Sequence, residues 1–140
     1  MRTYKSKSRK LKLSDGQYIY KSEGERRLAD QIRAIDKCVN YETLKIPYIK
    51  PAKPGKYSPD FPLANGIIIE YKGRLLQRDR EKHLLVKAQH PELDIRFVFE
   101  KPHLTITSNS KTTYAMWAEK NGFKWARYNI PEEWFLEEKK

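Results

Sequence analysis

The segment Pro59-Asp60-Phe61-Pro62-Leu63-Ala64-Asn65-Gly66-Ile67-Ile68-Ile69-Glu70-Tyr71-Lys72 decides the fold and points to the chemistry. Asn-Gly is the strongest short-range hairpin signal, because both residues tolerate the positive φ of tight turns. The pair Asn65-Gly66 therefore predicts a reversal that folds Asp60 back toward the strand beginning at Ile67. The run Ile67-Ile68-Ile69 is apolar on both faces, which places that strand centrally in a sheet. Residues two apart on a strand share a face, so Glu70 and Lys72 project side by side. Two carboxylates and an ammonium thereby converge, an arrangement that is costly inside a sheet unless something uses it.

Upstream, Ser22-Glu23-Gly24-Glu25 has the pattern of a capping box, with Ser22 at the N-cap and Glu25 at the third helical position. Leu28, Ile32 and Ile35 then fall on one face of a helix running to about Asp36. Val39, Tyr41 and Thr43 alternate with Asn40 and Glu42, the pattern of a first strand. Between Ile46 and Gly55 three prolines exclude a helix and leave an extended segment. Downstream, Leu84, Leu85 and Ala88 predict the buried face of a helix over 78–89 that stops at His90-Pro91. Ile95, Phe97 and Phe99 alternate into another strand. A last helix over 112–121 buries Tyr114, Met116 and Trp117, with Gly122 just past its end. Pro131-Glu132-Glu133-Trp134 reads as a short helical turn. The order is helix, three strands, helix, strand and C-terminal additions, an α/β fold around a mixed sheet flanked by helices.

The chain has 140 residues, the size of one domain. Residues 1–21 read as a basic flexible arm, and 22–140 as a single folded domain. Twenty-nine Lys and Arg against eighteen Asp and Glu give a net charge of +11 and a pI near 9.7. That is the electrostatic footprint of a nucleic-acid partner. The charge gathers in the arm (Arg2, Lys5, Lys7, Arg9, Lys10, Lys12, Lys21) and around the middle helix (Arg74, Arg78, Arg80, Lys82, Lys87). Lys5, Lys7, Arg9, Lys10 and Lys12, with the whole middle group, are the candidate DNA contacts. Nine Tyr, five Phe and three Trp within a 39% hydrophobic composition exclude wholesale disorder. No apolar run approaches the roughly 20 residues that span a bilayer. The basic N-terminus has no apolar segment behind it, so neither a secretory signal nor a membrane partner is expected. The single cysteine, Cys38, excludes an internal disulfide and a Cys-rich zinc site, and is expected to be small and buried at the helix end. The expectation is a soluble, intracellular protein with a polyanionic partner.

Asp60 and Glu70 offer hard oxygen donors, which suit Mg²⁺ or Mn²⁺. Such ions activate water and stabilise a phosphoryl transition state, and Lys72 beside them would orient the water and offset charge on the nonbridging oxygens. Glu25 adds a third acid, unless capping holds its carboxylate. His83, His90 and His103 lack metal-ligand spacing and read as packing or capping residues. Trp117, Trp125 and Trp134 read as core rather than base-stacking residues, while Tyr48 and Tyr57 are open on that point. Asp60 followed by Glu70-Tyr71-Lys72 is similar to the pattern of the PD-(D/E)xK nuclease superfamily. The predicted element order matches its restriction-endonuclease-like αβββαβ core.

A closer resemblance is to the phage endonuclease I family of Holliday-junction resolvases. It rests on Ser22 to Glu25, Ile46-Pro47-Tyr48-Ile49-Lys50-Pro51-Ala52, Tyr57-Ser58-Pro59-Asp60-Phe61, Asn65-Gly66-Ile67 and Glu70-Tyr71-Lys72-Gly73. Lys82-His83-Leu84-Leu85, Gln89 through Arg96, and Ile130-Pro131-Glu132-Glu133-Trp134 complete it. The resemblance implies catalytic residues at Glu25, Asp60, Glu70 and Lys72, with Glu25, Asp60 and Glu70 as ligands of Mg²⁺. Mn²⁺ would substitute, and the site would hold two ions and no organic cofactor. It also implies a domain-swapped homodimer, with 22–46 exchanged and 47–56 an extended bridge, that nicks both strands of branched DNA, above all four-way junctions. A phage-encoded enzyme of this kind would work in the host cytoplasm. Asn40 stands where the family can carry an acid. Two rivals remain open: a non-catalytic basic nucleic-acid-binding module, and a restriction- or nicking-type nuclease with another substrate class.

Overall fold

In the computed structural model, which describes residues 11–12, 19–50 and 54–139, the apolar run lies at the middle of the largest sheet. The elements are β1 (Leu11–Lys12), β2 (Ile19–Tyr20), α1 (Glu23–Asp36), β3 (Ile46–Ile49), β4 (Pro54–Tyr57), β5 (Phe61–Pro62) and β6 (Ile68–Lys72). They continue with α2 (Gln77–Gln89), β7 (Ile95–Phe99), α3 (Tyr114–Lys120), β8 (Lys124–Arg127) and α4 (Glu132–Leu136). The order β5-β6-β7-β8 forms the four-stranded sheet, antiparallel between β5 and β6 and parallel thereafter. Helices α2 and α3 make the crossovers that parallel neighbours require.

The reversal falls where Asn65-Gly66 predicts it. The Leu63 N–H donates to the Ile67 carbonyl at 2.7 Å, and Gly66 takes φ of 92°, a left-handed conformation that glycine adopts without a Cβ clash. The Asn65 side chain bridges the turn to the C-terminus, donating to the carbonyls of Trp134 at 2.7 Å and Glu137 at 3.0 Å.

The sheet is covered on both faces. One core joins α1 to it through Leu28, Ile32, Phe61, Ile69 and Val98, with Trp134 of α4. The other joins α2 and α3 through Ile68, Val86, Phe97, Phe99 and Trp117. Every residue of β7 is buried, so the alternation read in Ile95, Phe97 and Phe99 marks only one of two filled faces. Each fully buried aromatic or aliphatic side chain contributes about 1.5–3 kcal/mol. Arg96, on the α1 side, is buried with its charge paired to Asp94 at 2.7 Å and to Glu137. It ties the segment after α4 to the sheet.

Several expectations are corrected. Residues 39–43 form no strand. Val39 and Tyr41 are buried as the alternation requires, but Lys37 and Glu42 adopt φ of 59° and 52°, which breaks any ladder. The segment 47–56, expected as an extended bridge, carries the extended strands β3 and β4, paired antiparallel with Ile46 opposite Tyr57. The buried residues of α2 are His83 and Val86, while Leu84 is 38% exposed and Ala88 is also exposed. A histidine occupies the inward position, and of the three residues expected there only Leu85 packs, partly buried, against the core. On α1 Ile35 is 42% exposed, and on α3 Trp117 is buried while Met116 is 51% exposed. β8 was not anticipated, because only Ala126 of its four residues is buried. Cys38 is exposed. Tyr20, assigned to the arm, is fully buried against Tyr41 and Phe61. Among the described residues no helix is long and apolar enough to cross a membrane.

Candidate active site

Pairing of Phe61 with Ile69 sets Asp60 across from Glu70. The Asp60 N–H donates to Glu70 Oε1 at 3.2 Å, and the Tyr71 N–H donates to Asp60 Oδ2 at 3.0 Å. Glu70 is 3% exposed, and its Oε1 also accepts from the buried Tyr57 hydroxyl at 2.5 Å. Lys72 Nζ lies 3.9 Å from Glu70 Oε2, as their shared face predicts, and 3.5 Å from Asp79 Oδ1. Asp79 is fixed in turn, because its carboxylate accepts the Leu76 N–H at 3.0 Å at the start of α2.

Helix α1 brings Glu25 to the same place. Ser22 Oγ accepts the Glu25 N–H at 3.1 Å, so the cap forms through the backbone. The Glu25 carboxylate accepts from the Ser22 hydroxyl at 3.5 Å and from the Tyr41 hydroxyl, and faces Asp60. Gly24 permits the approach, since a Cβ there would meet the Tyr71 ring at 2.2 Å. One carboxylate oxygen from each of Glu25, Glu42 and Asp60 lies within 4.8 Å of the others.

Glu42 is the residue that sequence reasoning missed. Its left-handed backbone turns it inward, and its N–H donates to the Asp60 carbonyl at 3.4 Å. Its carboxylate pairs with Lys21 Nζ at 2.5 Å. Asn40, two positions earlier, is exposed. The one available signal was an acid close to the position where the family resemblance expects one.

Burial and the nearby Asp60 charge push the Glu25 carboxyl up to about 7. Burial, then Glu70, raises Asp60 well above the ordinary carboxylate range, and burial raises Glu70. Burial alone would lower the Lys72 ammonium, but Glu70, Asp60 and Asp79 outweigh it and hold it above 10.5. Crowded, desolvated carboxylates that resist ionisation are what a bound cation would relieve. The donors are all oxygens, as Mg²⁺ and Mn²⁺ prefer, and they come from four separate segments. The residues present fit such an ion.

The other candidates divide. Lys5, Lys7, Arg9 and Lys10 lie outside the described residues, as does the side chain of Lys12. Arg74 and Arg78 are exposed. Arg80 donates to the carbonyls of Leu75 at 2.8 Å and Ile106 at 3.2 Å, and Lys87 donates to that of Gly122 at 3.1 Å. Those two fasten α2 to its neighbours. Lys82 Nζ sits 5.9 Å from the Tyr57 ring centre. Trp117 stacks on Phe123 at 5.6 Å between ring centres, and Trp134 is buried, so both serve the core. Tyr48 and Tyr57 are buried too.

Fold and site together define a mixed α/β protein with an acidic, lysine-bearing centre at the β5–β6 pair. Comparison with known proteins gives the family. The model of phage endonuclease I matches residues 4–140, and the chain belongs to that family. It is 43% identical to Endonuclease I of Escherichia phage T7 over 121 residues, covering 86% of this chain and 81% of that protein. It is 41% identical to Endodeoxyribonuclease 1 of Enterobacteria phage T3 over 121 residues, covering 86% and 80%.

Proposed function

We propose that the chain is a structure-selective DNA endonuclease that resolves four-way and other branched junctions by hydrolysing one phosphodiester in each of two strands. The observation that carries the reading is the convergence of Asp60, Glu70 and Lys72 at the β5–β6 pair with Glu25 and Glu42 brought against them. Family membership and the net charge of +11 support DNA as the substrate.

Glu25, Glu42, Asp60 and Glu70 would hold the divalent cations. When bound, these ions supply Lewis acidity at the scissile phosphate and lower the pKa of water. The chain's own residues do the rest. Tyr57 and the Asp60 N–H hold Glu70 in one orientation, and Tyr41 does the same for Glu25. Lys72, kept protonated by its three acidic neighbours, presents an ammonium to the nonbridging oxygens as water attacks phosphorus and the 3′ oxygen leaves. Recognition is of backbone and branched shape, with little base readout.

Opposed nicks need two such sites, and the reading includes a homodimer on a restriction-endonuclease-like core. Opening of the β3–β4 pair would let α1 cross to a partner and make there the contacts it makes here with its own chain, as exchanged elements do. Glu25 of one chain would then complete the site of the other.

The test is cleavage of a synthetic mobile four-way junction beside a linear duplex of the same sequence, in Mg²⁺ and in EDTA. Paired nicks in the junction with Mg²⁺ alone are expected. Equal cutting of the duplex would favour the restriction-type rival, and salt-sensitive binding with no cleavage in any divalent ion would favour the binding module.

A further inference from the structure

His83 lies on α2 with no solvent exposure, and neither ring nitrogen has a hydrogen-bond partner among the described residues. Its ring stands edge-on between Tyr57, at 5.4 Å and 86°, and Phe97, at 4.9 Å and 82°. Nε2 points toward Glu70 Oε2 at 3.8 Å, beyond hydrogen-bond range by less than about 1 Å. A buried donor without a partner is costly, and an apolar side chain would fill the same space without that cost. The other oxygen of Glu70 already accepts from Tyr57.

We infer that His83 is a positioning residue for Glu70, its Nε2–H closing on Oε2 while Tyr57 holds Oε1. The inference rests on the reading of Glu70 as a metal ligand. Outer donors of this kind orient ligating carboxylates, and their loss typically weakens metal affinity ten- to a hundredfold. Burial, with Lys72 and Lys82 nearby, pushes the imidazole well below its ordinary value. Histidine on α2 also links the helix behind the sheet to the strand that bears the reacting groups.

The experiment is calorimetric titration of Mn²⁺ into the intact protein without DNA, for the wild type, His83→Gln, His83→Asn, His83→Leu and Glu70→Gln. The glutamine amide reaches the position of Nε2, whereas the asparagine amide reaches only that of Nδ1. His83→Gln should bind within about twofold of wild type, and His83→Asn and His83→Leu about tenfold or more weakly. In junction cleavage the last two should lower kcat and leave KM unchanged. Equal weakening in the glutamine and leucine variants would mean a packing role and overturn the inference. So would wild-type affinity in His83→Leu when Glu70→Gln has lost binding. If Glu70→Gln itself binds Mn²⁺ like the wild type, Glu70 is no ligand, and the underlying reading falls with the inference.

Discussion

Asp60 immediately precedes β5 and Glu70 lies on its partner β6, whereas Glu25 and Glu42 come from the first turn of a helix and from irregular backbone. The strand half is held by the β5–β6 ladder, by backbone N–H groups and by the buried Tyr57 hydroxyl. The other half is docked. It rests on Gly24 against Tyr71, on the Tyr20–Tyr41–Phe61 cluster, and on ion pairs of Arg27 with Glu100 at 2.9 Å and Lys21 with Glu42 at 2.5 Å. Moving the docked half breaks side-chain contacts and the Glu42 N–H bond to the Asp60 carbonyl, but no hydrogen bond of the β5-β6-β7-β8 sheet. The difference teaches that one carboxylate pair is tied into the sheet while the other is brought by a separate element, as the proposed exchange between chains requires.

The comparison can be broken first at the strand half. Asp60→Asn and Glu70→Gln should each reduce junction cleavage by about a thousandfold while junction binding in a gel shift survives. Cutting at the wild-type rate by either variant would remove the strand pair from the chemistry. The docked half should respond less. Glu42→Gln is expected to weaken cleavage about tenfold, with Mg²⁺ concentration partly restoring it. Full activity at low Mg²⁺ would detach Glu42 from the site.

What was legible in the sequence follows the same division. The Asn65-Gly66 turn, the central apolar strand and the shared face of Glu70 and Lys72 rest on local backbone rules, and the structure matches each. Glu25 was legible both as a cap and as a third acid: its N–H meets the Ser22 hydroxyl, and its carboxylate faces Asp60. Glu42 was hidden, since a left-handed residue in an irregular stretch obeys no period. His83 was masked by its polarity, and with it the true face of α2. Cys38 and Met116 were placed inside by residue type, but tertiary packing leaves both at the surface.

The smallest effect expected is on stability in the absence of metal. Glu25 holds its proton up to about pH 7 when folded, against an ordinary value of 4.5, and the raised Asp60 and Glu70 act in the same direction. With these groups the folded state binds more protons than the unfolded state in that window, so their contribution to stability is full below 4.5 and is lost as pH rises toward 7. Thermal melts in EDTA should show Tm falling by several degrees over that range, and Glu25→Gln should flatten the slope. A Tm that rises with pH in EDTA would contradict the raised carboxyls.

The central claim is that acids from both halves surround divalent ions. Anomalous diffraction from crystals soaked in Mn²⁺ tests it most directly. The account predicts manganese peaks in contact with Asp60 and Glu70 and bordered by Glu25 and Glu42. Soaked crystals in which these carboxylates are intact and adjacent, with no manganese among them, would contradict it.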